Sequence, residues 1–222
     1  LGAIDSTIQL SGLAFVGGDA LQGGAIFANG SDLQVSDCVF TDNSAQTYGG
    51  AILSALGSSL AVSNSVFEGS TAGYGGAAIY STGALSVSDT SFAQNDGGFG
   101  SAILQNEAST VTIDRCDFSD NTASTGGSAI AVSGGTIQIN DSTFQDNVST
   151  GWGGAISAGS SSLSILASAF TNNSAVRGGA IDVSTAAVTV IDSAFAQNSA
   201  TDFITAPGGA VSPRPGAGAI TA

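Results

Sequence analysis

The sequence has no lysine, no histidine and no methionine, and its only cations are Arg115, Arg177 and Arg214. Seventeen acidic residues oppose them, for a net charge of −14. Three arginines cannot build the basic stripe that a nucleic-acid binder needs, so nucleic acid is excluded as a partner. An anionic membrane surface is repelled for the same reason. No run of about 18 apolar residues occurs, so no membrane insertion by this segment is expected. Charged residues make up only 9% of the chain, against about 25% in ordinary globular proteins. There is no initiator Met and no signal peptide, and Leu1 reads as the start of a mature or trimmed segment. Proline is nearly absent, and all three prolines fall in the tail APGGAVSPRPGAGAITA. That divides the chain into a repeat domain over 1–205 and a Pro/Gly-rich linker or degenerate last coil over 206–222.

What is abundant is glycine, 32 of 222 residues, together with enough apolar residues (42%) for a packed core. A flexible linker would have the glycine without the apolar residues. The apolar residues are also periodic. FTDNSAQTYGGAI at 40–52 returns as FQDNVSTGWGGAI at 144–156 and FTNNSAVRGGAI at 170–181. The phenylalanine of an F-x-x-N motif recurs at Phe15, Phe40, Phe67, Phe92, Phe118, Phe144, Phe170 and Phe195, at intervals of 25 to 27 residues. The isoleucine of a G-G/S/A-A-I motif recurs at Ile26, Ile52, Ile79, Ile103, Ile130, Ile156 and Ile181, at intervals of 24 to 27. Two independent markers share one period, the signature of a repeat architecture.

Before each phenylalanine runs a short alternating segment, such as Leu33 and Val35, Leu60 and Val62, or Val111 and Ile113. A period of two is strand, not helix, and the Gly and Ser content opposes helix. A unit of about 26 residues made of short strands and Gly/Asn/Ser turns cannot bury its apolar face alone; stacked copies can. The fold class read from the sequence is all-β: a right-handed, single-stranded parallel β-helix of about eight coils. The phenylalanines form one inward stack. Three residues on, Asn43, Asn95, Asn121, Asn147, Asn173 and Asn198 form a corner ladder, with Ser70 in the same column. The glycine pair turns the backbone at positive φ before the inward isoleucine.

The paired GGAI and FxxN motifs, from about residue 15 to 211, resemble the repeats of the chlamydial polymorphic outer membrane proteins. Related right-handed β-helix repeats in other large secreted surface proteins are similar. The resemblance implies an exported, autotransporter-type passenger displayed at a cell surface and engaged in adhesion. The membrane barrel of those proteins has no counterpart in this sequence.

Several residues stand out from the repeat. Cys38 and Cys116 share a column with Ser65, Thr90, Ser142, Ser168 and Ser193 and lie three coils apart, about 14 Å at the spacing of stacked strands. That is too far for a disulfide, so both are expected to be buried free thiols. Arg115 occupies a column with Asp89 and Asp141 on the adjacent coils and is expected to pair with them. Asp120 and Asp146 should be neighbours, a weak calcium candidate, although no Ca²⁺-loop motif is present. Tyr48, Tyr74, Phe99 and Trp152 lie at or near one position of the repeat; exposed, they would form a row for sugars or a partner surface. Sequons occur at Asn29, Asn140, Asn147 and Asn172. Asn29, Asn140 and Asn172 are placed in turns as possible glycosylation sites, and Asn147 in the ladder.

An enzyme is not expected. Pectin-active β-helices use basic residues, calcium-binding carboxylates or clustered Asp with His; here coil lengths barely vary and no irregular insertion builds a cleft. No cofactor and no catalytic residue are expected. The sequence therefore points to a non-catalytic, acidic structural or interaction segment of a secreted, extracellular or cell-surface protein. The leading expectation is a stiff building block of an extracellular filament or coat, whose partners would be copies of itself; the alternative is an adhesin passenger module that binds a host receptor or glycan, with other surface proteins and glycans as partners.

Overall fold

The structure is a computed structural model that describes residues 1–184, 187–201, 211–213 and 220–221. The chain winds as a right-handed parallel β-solenoid of about eight turns. One coil shows the pattern: strands Ile26–Asn29, Asp32–Ser36, Val39–Thr41 and Ser44–Ala45, then a turn leading to Ile52–Ala55 on the next coil. Equivalent strands pair in parallel into one sheet of 16 strands, which carries the first two strands of every coil, and two sheets of eight. In two coils the first two strands fuse into single 11-residue strands, Ile130–Asn140 and Ile156–Leu166. Beyond residue 201, Val211–Pro213 pairs with Ile181–Ser184, and Ile220–Thr221 with Ala187–Ile191. The proposed boundary between 205 and 206 lies outside the described residues.

Register is held coil after coil. Leu33 pairs with Leu60, Leu60 with Leu85, and Leu85 with Val111. The markers do the same: Phe40 pairs with Phe67 and Ile52 with Ile79. A one-residue slip would turn every apolar side chain outward, so the buried pattern itself enforces register. The eight phenylalanine rings stack face over face, with centroids 4.5 to 5.0 Å apart and planes within 10° of parallel. Six of them, Phe40 through Phe170, are fully buried. Each buried ring contributes about 2–3 kcal/mol through removal from water.

The corners come from backbone conformation. The residue three before each phenylalanine and the residue two after it both sit at positive φ in every coil. Asp37, Asn64, Asp89, Arg115, Asp141, Ala167 and Asp192 lie at φ 46–54°, and Asp42, Gln94, Asp120, Asp146, Asn172 and Gln197 at 52–57°; Gly12, Gly17 and Gly69 fill the remaining places. Left-handed conformation favours Gly, which has no Cβ to clash, and Asn and Asp, whose short side chains bond the local backbone. Much of the acidity of this chain is thus a consequence of two sharp corners per coil.

The glycine pair works by two different means. The first glycine of each motif, Gly153 for example, has φ 63°. The second is Ala77, Ser101 or Ser128 on three coils, but where it is glycine it can have no room: a Cβ on Gly50 would lie 2.3 Å from the carbonyl oxygen of Ala77.

Side-chain ladders run along the axis beside the backbone ones. Asn95, Asn121, Asn147 and Asn173 each donate through Nδ2 to the Asn oxygen of the next coil at 2.9–3.0 Å. Each also donates to a phenylalanine carbonyl of the preceding coil, as Asn147 does to Phe118 at 3.0 Å. A second ladder runs through the column of the cysteines. The Ser142 hydroxyl donates to the Asn140 carbonyl at 2.7 Å and accepts from the Cys116 N–H at 3.0 Å. These bonds satisfy buried backbone groups at corners where no strand partner is available.

Candidate functional site

The outward face of the first strand of each coil forms the floor of a groove, and the turn before it forms a wall. The wall column runs Tyr48, Gly75, Phe99, Gly126, Trp152, Arg177, each paired with the next. Tyr74 is one residue ahead of that column, at a register shift between Ala72 and Gly75, and is brought back to the row by stacking on Tyr48 at 5.5 Å. The floor is the residue after each marker isoleucine: Leu53, Tyr80, Leu104, Ala131, Ser157, Asp182. Tyr80 is buried against Tyr48 at 4.6 Å, and its hydroxyl accepts from Asn106 Nδ2 at 3.4 Å.

Tyr74 (61%) and Phe99 (39%) are exposed, whereas Tyr48 and Trp152 are half-buried. From Leu104 to Ala131 the floor drops, and on the same coil the wall loses its ring at Gly126. The result is a cavity of 370 Å³ between Phe99 and Trp152, within the usual range of about 300–1,000 Å³ for small-molecule sites. Its twelve lining residues include the four aromatics, Leu104, and the polar side chains of Asn106, Ser133, Ser157 and Ser184, and none of the twelve is charged. The four aromatic residues singled out in the sequence are thus brought together. Reading single columns missed the floor, because Ala131 is unremarkable until it is set against Leu104.

The far end of the groove holds an ion pair: Nη2 of the half-buried Arg177 lies 3.7 Å from Asp182 Oδ1, and the Asp182 side chain is fully buried. Both residues depart from their columns on the same coil, a signal present in the sequence. Arg115 makes its bonds elsewhere. Nε and Nη2 donate to the two oxygens of Asp89 at 2.7 and 2.8 Å, and Nη1 contacts Asp114. Asp141, the second partner expected from the sequence, is replaced by Asp114, because the guanidinium can reach its own chain neighbour. The Arg115 hydrogen bonds hold the Asp89 carboxyl below its ordinary value.

Asp120 and Asp146 occupy adjacent corners at φ 54°. Asp146 accepts from Gln145 Nε2 at 2.8 Å. Among the described residues no three acidic, thiol or imidazole groups converge to hold a metal ion, and the corner conformation accounts for Asp at both places. Cys38 and Cys116 are buried free thiols; burial pushes Cys116 up to about 11. Of the sequon asparagines, Asn172 is an exposed corner residue. Asn29 and Asn140, placed in turns on the sequence, instead end the strands Ile26–Asn29 and Ile130–Asn140 and are half-buried, because those strands run further than the alternation shows. Asn147 is fully buried in the ladder. No described helix is long and apolar enough to cross a membrane.

Comparison with curated proteins and with solved structures returns no match. The profile of a family described as "Right handed beta helix region" matches residues 23–195, which include the whole groove. The chain belongs to this right-handed β-helix family.

Proposed function

We infer that this chain is a non-catalytic interaction segment of a secreted or surface-exposed protein: a stiff solenoid that presents the aromatic groove to a partner. The observation that carries the reading is the exposure of Tyr74 and Phe99 beside a preformed, uncharged cavity. Exposed rings gathered in a concave site are a recognition feature, whereas scattered surface apolar residues are ordinary. The lining offers no carboxylate, imidazole or amine for proton transfer or nucleophilic attack, which favours binding over turnover. The resemblance to chlamydial surface repeats supports display outside the cell and an adhesin-type role. Asn172 is the sequon best placed to carry a glycan there.

The test is binding of the immobilised chain to a panel of extracellular glycans and proteins, in parallel with a Tyr74→Ser/Phe99→Ser/Trp152→Ser variant. A ligand held by the native chain and lost by the variant is the expected outcome. Equal behaviour of both chains towards every panel member overturns the reading.

A filament or coat subunit is the second reading. Val16, Val39 and Val66, exposed at 69, 41 and 36% on the outer face of the phenylalanine sheet, favour it as a side-to-side contact. Electron microscopy separates the two: regular filaments support the coat subunit, and isolated rods support the binding module.

A further inference from the structure

The groove is amphipathic and electrically neutral on a strongly acidic molecule, and those two properties select its occupant. We propose that it binds an uncharged, unbranched oligosaccharide lying along the solenoid axis, with sugar rings stacked on Phe99 and Trp152 and one ring seated over Gly126 and Ala131. This rests on the groove being an interaction surface and specifies the ligand.

Three observations carry the assignment. First, none of the twelve side chains lining the cavity is charged, and the Arg177–Asp182 pair at the far end of the groove is neutral as a pair, although the chain as a whole carries −14. A cationic ligand would find no counter-charge in the site, and an anionic one would face the surrounding negative potential. Second, the polar groups are amide and hydroxyl: Asn106, Ser133, Ser157 and Ser184. These both donate and accept, as sugar hydroxyls do. The aromatic faces opposite them suit the C–H faces of a pyranose. Third, the platforms repeat with the coils. Phe99 and Trp152 are two coils apart, about 10 Å. Tyr48 and Trp152 are four coils apart, about 19 Å. A linear polymer of rings can engage such a row in register, whereas a compact small molecule would use one platform only.

The depth at the centre is set by missing side chains. Ala131 stands where the neighbouring coils have Leu104 and Ser157, and Gly126 stands where they have Phe99 and Trp152. Ala131→Leu repeats the Leu104 side chain one coil on, a change the column already accommodates, and it fills the seat. Ser133→Leu, at an exposed position of the same groove, narrows it without touching the core.

The experiment titrates the full chain with neutral oligosaccharides of glucose, N-acetylglucosamine, mannose and xylose, from disaccharide to hexasaccharide, with oligogalacturonate as the charged control. Trp152 is the only tryptophan, so its emission reports the groove directly; calorimetry gives the affinity. The expected result is a change in Trp152 emission with at least one neutral series, and affinity rising with chain length. Oligogalacturonate and both groove-filling variants should bind roughly tenfold or more weakly, with unfolding midpoints near that of the native chain. If Ala131→Leu fails to fold, Ser133→Leu decides. Absence of binding by every neutral series, or unchanged affinity in the folded variants, overturns the proposal. A protein ligand lost in the variants, with all sugars failing, overturns the ligand class and leaves the interaction reading standing. Failure of sugars and proteins alike overturns both.

Discussion

Asn147 Oδ1 accepts two hydrogen bonds from Asn121, one from the backbone N–H at 3.2 Å and one from Nδ2 at 3.0 Å. Asn121 in turn serves Asn95 in the same way, at 3.1 and 3.0 Å, and donates to the Phe92 carbonyl at 3.0 Å. Asn121→Ala therefore leaves the Asn95 N–H, the Asn95 amide and the Phe92 carbonyl without these partners in a buried corner. Each orphaned group costs about 1–3 kcal/mol, and the variant should lose about 3–5 kcal/mol in denaturant unfolding. A loss no larger than that of a surface substitution would show that the ladder does not hold the corner.

The ladder has one gap, and filling it should stabilise the rod. Ser70 stands in the asparagine column; its N–H donates to Asn95 Oδ1 at 3.1 Å, but its buried hydroxyl has no hydrogen-bond partner. Ser70→Asn would supply an amide to bond the Phe40 carbonyl and Asn95 Oδ1, as its column mates do on their own coils. The expected gain is about 1 kcal/mol, read as a higher denaturant midpoint with an unchanged slope.

Ala167 is a strained corner. It holds φ 50° on an exposed site where its column mates are mostly Asp and Asn. Left-handed backbone costs a Cβ-bearing residue about 1–2 kcal/mol. Ala167→Gly and Ala167→Asn should each raise stability by roughly 0.5–1 kcal/mol, whereas Asp141→Val at the adjacent corner should lower it. Thermal unfolding of the three variants checks the sign.

Cys116 links stability to alkaline pH. Its thiol, ordinarily near 9.0, is pushed up to about 11 in the fold, chiefly by burial. The folded state favours the protonated form, so this contribution is fully present below pH 9 and is lost as pH rises towards 11. A two-unit shift corresponds to roughly 3 kcal/mol. Cys116→Ser fits a column of hydroxyls and should fold normally without that loss between pH 9 and 11. Native Cys116 should also resist thiol reagents at pH 8, and rapid labelling there would contradict its burial.

The acidic corners show how far a single chain can be read. The columns containing Asp37, Asp89 and Asp141, or Asp42, Asp120 and Asp146, are plain in the sequence as columns. Their left-handed backbone is not, because φ is set by how two strands meet. Asp120 and Asp146 show in the sequence only as neighbouring carboxylates; the winding adds that both are corner residues at φ 54°. The sequon asparagines Asn29 and Asn140 end strands, where the sequence suggests turns, for a related reason. Strand ends depend on pairing with the next coil, and alternation of side chains does not mark them.

The period, the inward phenylalanine and isoleucine stacks, and the parallel β-helix followed from the sequence alone. Burial repeats at the length of one coil, and each short unit can hide its apolar face only against its own copy. The groove did not follow from it. Its wall and floor come from residues several coils apart, and its depth depends on Gly126 and Ala131 standing beside Phe99, Leu104 and Trp152. A cavity is a relation among neighbours in space, and only winding the chain brought those neighbours together.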